Sequence, residues 1–233
     1  MKRISPIVLI VFLTGCKTVD QFPIKEITQI GITSVNTEKP HCAMLPYADT
    51  ISALKDNPHE SPYYISLNGM WKFKWVSNPS QRPSGFYKKG YNTAKWDKIE
   101  VPSDWQMKGY DYPIYVNIRY PWNEQYPQVP MNYNPVGSYR RTFSIPKEWK
   151  NREIILHFGG VNSAFYVWVN GHYAGYSEDS KTPAEFDITA MVKPGKNLIA
   201  VQVFRWCDGS YLEDQDFFRL SGIERDVFLY AVP

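Results

Sequence analysis

The sequence predicts an all-β domain built as an antiparallel β-sandwich, and three observations support this fold class. Short runs rich in aromatic and β-branched residues recur along the chain between turn signals. Asn170-Gly171 separates two of these runs, and this pair favours a hairpin because both turn positions need a positive φ. No apolar stripe with the period of about 3.6 residues is long enough for a major helix.

Seven strands are predicted in chain order. They span residues 71–76, 138–145, 154–158, 164–169, 172–176, 198–206 and 227–232. The Lys-Pro-Gly-Lys-Asn stretch at 193–197 predicts the turn before the sixth strand. Residues 101–135 hold many prolines and tyrosines with little alternation, so we expect a long surface excursion of the kind that often carries function.

Composition indicates one packed domain. With 233 residues, of which 43% are hydrophobic, the chain can bury one substantial core. The polar, proline-interrupted residues 17–62 are interpreted as a tether and extended lead-in, and residues 63–233 as the sandwich. The net charge of +3 falls to 3 − 2 = +1 if Lys2 and Arg3 are removed with a leader, and it implies no nucleic-acid partner.

The first sixteen residues have the shape of a bacterial lipoprotein signal. A basic start is followed by an apolar run at 7–13 and by Leu-Thr-Gly-Cys at 13–16. The run is too short to span a bilayer but sufficient for a signal peptide. We expect cleavage before Cys16 and lipidation of that cysteine, giving an exported, membrane-anchored lipoprotein on the periplasmic side or at the cell surface. An ordinary secretory signal and a chance apolar start are the alternatives.

The remaining cysteines and the histidines indicate no metal or nucleophilic site. An exported compartment would allow Cys42 and Cys207 to pair, although the sequence does not show that they approach each other. Cys207 has no activating histidine nearby in the sequence, which argues against nucleophilic chemistry. The four histidines have no metal-ligand spacing with the cysteines.

Several motifs from about Leu67 onward occur together in one order. They are Tyr-Val-Asn-Ile-Arg-Tyr-Pro at 115–121, Gly-Ser-Tyr-Arg-Arg-Thr-Phe at 137–143, Gly-Val-Asn-Ser-Ala-Phe at 160–165, Trp-Val-Asn-Gly at 168–171, Gly-Tyr-Ser-Glu-Asp-Ser at 175–180, Asp-Gly-Ser-Tyr-Leu-Glu-Asp-Gln-Asp at 208–216 and Ser-Gly-Ile-Glu-Arg-Asp-Val at 221–227. In order and spacing this set resembles the β-galactosidases of glycoside hydrolase family 2. The 221–227 motif looks general to the family, which includes β-glucuronidases and β-mannosidases, whereas the 208–216 loop and Asn117 resemble the galactosidase branch.

The resemblance implies a sugar-binding domain of jelly-roll, galactose-binding-like topology. Members of this family are several times longer and place two catalytic glutamates on a later (β/α)8 barrel, which takes about 250 residues by itself. We therefore expect no catalytic residue within this chain, which alone would be inactive. Its expected partners are β-galactosides and a barrel-containing remainder, with oligomer formation left open. Retaining hydrolysis needs one glutamate as acid and another as nucleophile.

Asp208 is the first candidate for a binding residue. A carboxylate accepts hydrogen bonds from sugar hydroxyls and coordinates hard cations. By resemblance it matches an aspartate that contacts the galactosyl group and helps to hold a sodium ion shared with the barrel domain. Magnesium is expected only in the catalytic domain, and no cofactor lies wholly within this chain. The ordinary alternative is structural, because Asp-Gly is a common turn pair.

Asn117 is the second candidate. Its side-chain amide offers both donors and an acceptor, which suits the hydroxyls of a sugar ring. By resemblance it matches an asparagine that lies at the substrate. An asparagine in a loop rich in tyrosine and proline is otherwise a turn former.

The other acids and the tryptophans are given structural interpretations. The acids Glu213, Asp214 and Asp216 match no calcium-loop spacing, so we expect them to pair with arginines. The arginines concerned are Arg205, Arg219 and Arg225, and the same structural role is expected for Glu178 and Asp179. Core positions are expected for Trp71, Trp75, Trp168 and Trp206. Trp122, in the excursion, is the better candidate for a sugar contact.

Two hypotheses of different classes follow for the chain. It is either the N-terminal sugar-binding piece of a lipid-anchored β-galactosidase or a standalone carbohydrate-binding module. A half-pocket built for a barrel partner should expose an apolar patch, whereas a binding module should hold a complete site. The equivalent domain of a β-glucuronidase is a third alternative.

Overall fold

A computed structural model describes residues 21–213 and 215–233. Cys16 and the predicted signal lie outside the described residues. In the described ranges no helix is long and apolar enough to cross a membrane. Both cysteines within these ranges are free, Cys42 exposed and Cys207 buried.

The described residues form sixteen strands, one α-helix and seven 3-10 turns. The strands are β1 (Ser34–Val35), β2 (Tyr64–Ser66), β3 (Gly69–Val76), β4 (Asp97–Val101), β5 (Ser103–Asp104), β6 (Ile114–Val116), β7 (Val136–Ile145), β8 (Glu153–Phe158), β9 (Val161–Asn162), β10 (Ala164–Val169), β11 (His172–Ser177), β12 (Ala184–Asp187), β13 (Gly195–Phe204), β14 (Phe217–Arg219), β15 (Gly222–Ile223) and β16 (Val227–Val232). The helix is α1 (Thr50–Lys55), and the 3-10 turns span Glu26–Thr28, Pro58–Glu60, Pro79–Gln81, Gln106–Lys108, Lys147–Trp149, Thr189–Met191 and Asp208–Tyr211.

Two antiparallel sheets form the sandwich. One has the strand order β1-β11-β10-β13-β7-β3-β4, and the other has the order β12-β8-β16-β2. A two-stranded ribbon, β14-β6, and a three-stranded sheet, β5-β15-β9, lie beside them. This architecture confirms the predicted all-β, antiparallel sandwich of jelly-roll type.

The larger sheet is covered on both faces. Its inner face carries Phe73, Val167 and Val201 into the core between the sheets, where they meet Phe158 and Leu229 of the smaller sheet. Its outer face carries a second apolar cluster, in which Tyr166, Trp168 and Phe204 pack with Ile27 and Phe86. Burial on both faces explains why β10 reads as Ala-Phe-Tyr-Val-Trp-Val without polar alternation, since all six of its residues are buried.

Part of the lead-in is packed against the sandwich rather than extended away from it. β1 pairs with β11, with Val35 opposite Tyr176. Upstream, Ile27 is buried, and Glu26 accepts a hydrogen bond of 2.8 Å from the hydroxyl of Tyr166. The predicted division at residue 63 therefore does not coincide with the start of contacts to the sheet.

The predicted strands are all present, with small shifts at their ends. β10 and β16 have the predicted bounds, and the sixth predicted strand is β13, which ends at Phe204 rather than at residue 206. β4 and β12 were not predicted. Each of these strands has only two buried residues. The alternation of buried and exposed residues is therefore too short to predict a strand.

The excursion at 101–135 is not confined to the surface. Trp105 is fully buried against Phe73 and Tyr139, and its indole N–H donates to the Tyr139 hydroxyl. The backbone N–H of Trp105 also donates to the carbonyl of Ser221 at 2.8 Å. The prediction of a surface excursion is thus wrong for its first part, because a large aromatic side chain in that segment fills the core.

Gly137 gives a test of this packing. A Cβ atom at this position in β7 would lie 2.5 Å from a ring carbon of Trp105 and 2.8 Å from one of Phe73. We expect Gly137→Ala to lower the free energy of unfolding by about 1–3 kcal/mol, because two buried rings must shift to admit the methyl group. Urea denaturation followed by tryptophan fluorescence measures the change.

Gly90→Ala is the matched control, since a Cβ atom there would meet nothing within 4 Å. It should leave the free energy of unfolding within about 0.5 kcal/mol of the parent value. Equal stability of the two variants would contradict the close contact of β7 with Trp105.

Candidate functional site

The candidate site is organised by the 3-10 turn Asp208–Tyr211, which follows β13 after three residues. The turn closes on itself, because the Cys207 N–H donates to the Ser210 hydroxyl at 3.1 Å and the Ser210 N–H donates back to the Cys207 carbonyl at 2.9 Å. The N–H of Gly209 donates to Asp208 Oδ1 at 3.2 Å. Asp208 is only 6% exposed. The hydrogen bonds of the turn fix its position just beyond the end of β13.

Three buried groups meet at this turn. Potential ligand atoms of Glu178, Cys207 and Asp208 lie within 4.8 Å of one another. The Tyr176 hydroxyl donates to Glu178 Oε2 at 2.7 Å. The pKa of Glu178 is raised to about 7, mainly by burial and also by the adjacent carboxylate of Asp208, while the hydrogen bond from Tyr176 opposes the rise. Glu178 is consequently protonated over much of the range below neutral pH.

Cys207 is an inert thiol in this setting. Burial raises its pKa well above the ordinary value, and the negative charges of Glu178 and Glu213 raise it further. A protonated, inaccessible thiol is neither a nucleophile nor a good metal ligand. This agrees with the expectation from the sequence.

The donor set near Asp208 fits only part of a cation site. A hard cation such as sodium takes oxygen ligands. Cys207 offers a protonated sulfur and Glu178 a carboxyl with a raised pKa, which leaves the Asp208 carboxylate as the strong oxygen donor of this group. These three residues therefore supply too few oxygen ligands to enclose a hard cation by themselves.

Ser180 supplies the hydrogen bonds to the carboxylate of Glu213. The N–H and hydroxyl of Ser180 donate to its two carboxylate oxygens at 2.8 and 2.9 Å. Burial raises the pKa of Glu213, and the hydrogen bonds from Ser180 and the charge of Arg219 oppose that rise. A second pair of hydroxyls, on Ser163 and Ser210, lies 3.0 Å apart next to this contact. The acidic loop is thus fixed largely by neutral donors.

The expected arginine pairings are wrong in two cases. Arg205 pairs with Asp111, from the excursion, and both side chains are inaccessible to solvent. Arg225 donates to the backbone carbonyl of Lys181 at 2.9 Å rather than to a loop carboxylate. Asp216 instead accepts a hydrogen bond from the Tyr115 hydroxyl. The sequence could not indicate these partners because each pair joins residues that are far apart along the chain. Asp214 lies outside the described residues.

Asn117 lies at the end of the β6–β14 ribbon. It directly follows Val116, which is paired with Phe217, and it is exposed. Within residues 21–213 and 215–233, no hydrogen bond or ion pair joins its side chain to Asp208. The structure thus places the two predicted binding residues on separate segments, one buried and one exposed.

Trp122 has a packing role that its place in the excursion did not predict. Its ring centroid lies 4.6 Å from that of Trp206, and its indole N–H donates to the Tyr211 hydroxyl at 3.0 Å. Trp71, Trp168 and Trp206 are buried and Trp75 packs against the core, as predicted. The ring of Trp122 is therefore engaged inside a small cluster beside the Asp208 turn.

A cleft of about 580 Å³ opens beside the turn. Glu178, Gly209 and Glu213 line one end, and His41, His157 and Glu185 are also among its lining residues. Both histidines contact Glu185 at 2.7 Å, and the Tyr230 hydroxyl donates to the same carboxylate at 2.9 Å. Glu178 is the functional candidate that the sequence reasoning missed. Its signal was the Tyr-x-Glu spacing at 176–178, which places both side chains on one side of an extended strand end.

The raised pKa of Glu178 predicts a pH dependence of stability. The folded pKa of about 7 exceeds the ordinary value of 4.5, so the folded chain retains a proton that the unfolded chain releases. This contribution is fully present below pH 4.5 and is lost as the pH rises to about 7, at a rate of at most about 1.4 kcal/mol per pH unit.

Glu178→Gln should remove this contribution to the pH dependence. Its free energy of unfolding should vary less than that of the parent between pH 4.5 and 7. Urea denaturation at half-unit intervals of pH measures the difference. Parallel curves for the two proteins would show that Glu178 is ionised in the fold.

Comparisons with known proteins agree on one family. Residues 64–233 match the family described as "Glycosyl hydrolases family 2, sugar binding domain". The β-galactosidase of Priestia megaterium is 52% identical over 206 residues, which cover 87% of this chain and 20% of that protein. The β-galactosidase of Halalkalibacterium halodurans is 45% identical over 208 residues, covering 88% of this chain and 20% of that protein. The chain thus spans about a fifth of the length of these curated relatives.

Solved structures show the same fold. A β-glucuronidase 2 of Bacteroides uniformis, covalently bound to cyclophellitol-6-carboxylate aziridine, aligns with a TM-score of 0.56 and 26% identity over 73% of this chain and 18% of that one. A β-glucuronidase from an uncultured Clostridium species aligns with a TM-score of 0.55 and 26% identity over 82% of this chain and 31% of that one. The chain therefore belongs to glycoside hydrolase family 2, and residues 64–233 are its sugar-binding domain.

Proposed function

We propose that this domain positions the galactosyl group for a β-galactosidase, with Asp208 and Asn117 as its binding residues. The observation that supports this most strongly is the state of Asp208. Its side chain is nearly buried, yet no lysine or arginine of the described ranges forms an ion pair with it. A buried carboxylate without a cationic partner is costly unless hydrogen bonds or a cation compensate it, and the Gly209 N–H and Glu178 supply only part of that compensation.

The choice of a galactoside over a glucuronide rests on sequence identity. The curated relatives named as β-galactosidases are 45 and 52% identical to this chain, whereas the two β-glucuronidase structures are 26% identical. The sandwich itself is common to both groups and does not separate them. The activity of a whole enzyme remains a proposal because this chain covers only about a fifth of those relatives.

The chemistry of the chain is positioning rather than bond cleavage. Asp208 would accept hydrogen bonds from galactosyl hydroxyls, and the exposed amide of Asn117 would both donate and accept. A sodium ion held by Asp208 and the partner domain would bind galactosyl oxygens through its positive charge. Fixing the sugar lowers the entropic part of the barrier for catalytic glutamates supplied by the barrel. Magnesium is assigned to that catalytic part and to no residue here.

An exposed apolar ribbon favours an enzyme domain over a standalone binding module. Tyr115, Phe218 and Ile118 are 54, 57 and 82% exposed. The rings of Tyr115 and Phe218 contact each other across β6 and β14, with centroids 5.4 Å apart. Such a patch beside Asn117 fits a contact with another domain, since monomeric proteins seldom expose contiguous apolar surface.

Hydrolysis of a chromogenic β-galactoside tests the proposed function. The purified chain is assayed alone and after mixing with, or fusion to, the part of the Priestia megaterium enzyme beyond the matched region. Activity only in the combined protein supports a positioning domain. Activity of the chain alone would contradict the assignment of both catalytic carboxylates to another domain. Galactoside binding by the chain without any activity in combination would favour the carbohydrate-binding module.

Asp208→Asn tests the central residue in the combined protein. We expect KM to rise about tenfold or more, because a charge-assisted hydrogen bond to the sugar is lost, and the response to sodium to weaken. Asp97→Asn, an exposed acid on β4, is the matched control and should leave both quantities unchanged. An unchanged KM and sodium response in Asp208→Asn would exclude the proposed role.

We also propose that Cys16 is lipidated and anchors the chain to a membrane, as its Leu-Thr-Gly-Cys motif predicts. Cys16→Ser should abolish incorporation of labelled fatty acid and move the expressed chain from the membrane to the soluble fraction. The exposed cysteine supplies a control, since Cys42→Ser should change neither result. Membrane retention and labelling of Cys16→Ser would contradict lipidation at this residue.

A further inference from the structure

We infer that Tyr211 is a positioning residue. It couples the turn that carries Asp208 to the loop at residues 117–131, which begins with Asn117. The inference rests on the proposed function, in which these two residues bind one sugar. Tyr211 ends the 3-10 turn that begins at Asp208, and it is 8% exposed. Any movement of the loop against Tyr211 therefore changes the position of the loop relative to Asp208.

The hydroxyl of Tyr211 is the centre of a hydrogen-bond network. It accepts from the indole N–H of Trp122 at 3.0 Å and from the backbone N–H of Gln125 at 3.1 Å. It donates to the backbone carbonyl of Gln128 at 2.7 Å. One phenol thus uses its donor and both of its acceptor positions on three points of the loop.

The backbone and ring of Tyr211 hold the loop as well. Its carbonyl accepts from the Tyr120 hydroxyl at 2.6 Å. Its ring packs against three aromatic rings of the loop, those of Tyr120, Trp122 and Tyr126, with centroid separations of 4.9, 5.6 and 5.3 Å. The attachment therefore begins three residues after Asn117 and continues to Gln128.

The part of the loop nearest to Asn117 has little support of its own. Residues 117–119 are all exposed, and β6 is paired with the three-residue strand β14. Backbone with few buried contacts opens at low free-energy cost. The bonds to Tyr211 therefore restrain the chain on the C-terminal side of Asn117, as the β6–β14 pairing does on its N-terminal side.

Tyr211→Phe separates this role from ordinary packing. It retains the aromatic ring in its cluster with Val129 and Trp206 but removes the three hydrogen bonds of the hydroxyl. Tyr126→Phe is the matched control, because it removes a hydroxyl from the same loop without touching those bonds. Because Tyr126 is 56% exposed, removal of its hydroxyl should change the stability of the loop little.

The first measurement is hydrogen–deuterium exchange of the purified chain. In Tyr211→Phe the amides of residues 117–131 should exchange about tenfold faster than in the parent, while those of β13 should not change. Tyr126→Phe should match the parent. Unchanged exchange in residues 117–131 would overturn the inference at its structural step, whatever the activity.

The second measurement is hydrolysis of a chromogenic β-galactoside by the chain combined with the Priestia megaterium remainder. Tyr211→Phe should raise KM about three- to tenfold and change kcat less than twofold, because ground-state positioning of the sugar is lost. A loop made merely less stable, without a role in binding, would leave KM unchanged. A loosened loop with an unchanged KM would therefore overturn the inference.

Asp208→Asn and Asn117→Ala separate this inference from the proposed function. If they raise KM and Tyr211→Phe does not, only the role of Tyr211 is wrong. If all three variants keep the parent KM while exchange in the loop still increases, the proposed function is wrong, and Tyr211 is an anchor of the loop but not a positioning residue. A raised KM in all three, with the control unaffected, supports both.

Discussion

The buried ion pair between Arg205 and Asp111 is the interaction on which the site end of the sandwich depends. Arg205 directly follows β13, and its guanidinium also donates to the carbonyls of Tyr112 at 3.1 Å and Arg219 at 3.3 Å. It thereby joins the end of the central strand, the excursion and β14. Removing one member of a buried pair typically costs about 3–5 kcal/mol, since the other charge is left without compensation. Tyr133 adds a donor to Asp111 at 2.5 Å, so the carboxylate has a second partner besides the guanidinium.

Strand register brings the buried acids of the site together. Phe165 of β10 lies opposite Ser177 of β11 on one side and opposite Val203 of β13 on the other. The residues that leave the ends of β11 and β13 therefore emerge close to each other, although some thirty positions separate them in the sequence. Glu178 and Asp208 meet for this reason. Their proximity is a consequence of the sheet and not of any local motif.

Local patterns in the sequence predicted the framework but not the partners. Hydrophobic runs specify strands through burial on one or both faces, and they identified β10 and β16 with their bounds. The pairing of Arg205 with Asp111 joins positions 94 residues apart, and no periodicity encodes it. The jelly-roll topology, likewise, came from the family resemblance, because alternation indicates strands without giving their order.

For the candidate site too, the sequence predicted individual residues but not the partners that surround them. Asp208 and Asn117 were found through motifs. The spacing of Tyr176 and Glu178 could indicate that these two side chains meet, but the burial of Glu178 beside Asp208 depends on the register of β10. The packing of Trp122 was missed for a related reason. An aromatic ring in a loop faces sugar or protein according to the loop's conformation, and here Tyr211 fixes that conformation through bonds spanning 83 to 91 residues.

The chemistry of the turn supports the proposal that the sugar-binding surface is shared between domains. A galactosyl group presents hydroxyls that both donate and accept, so a complete site needs donors and acceptors around the whole ring. Two of the three buried groups at the Asp208 turn, Glu178 and Cys207, have raised pKa values, which limit their negative charge. In the proposed function, Asp208 supplies a carboxylate from the turn and Asn117 supplies an amide from the ribbon. Tight binding by so few groups requires that they be fixed before the sugar arrives, since each mobile segment must otherwise be ordered at the expense of affinity. The ion pair of Arg205 and the network of Tyr211 meet that requirement by holding the two segments against the same end of β13.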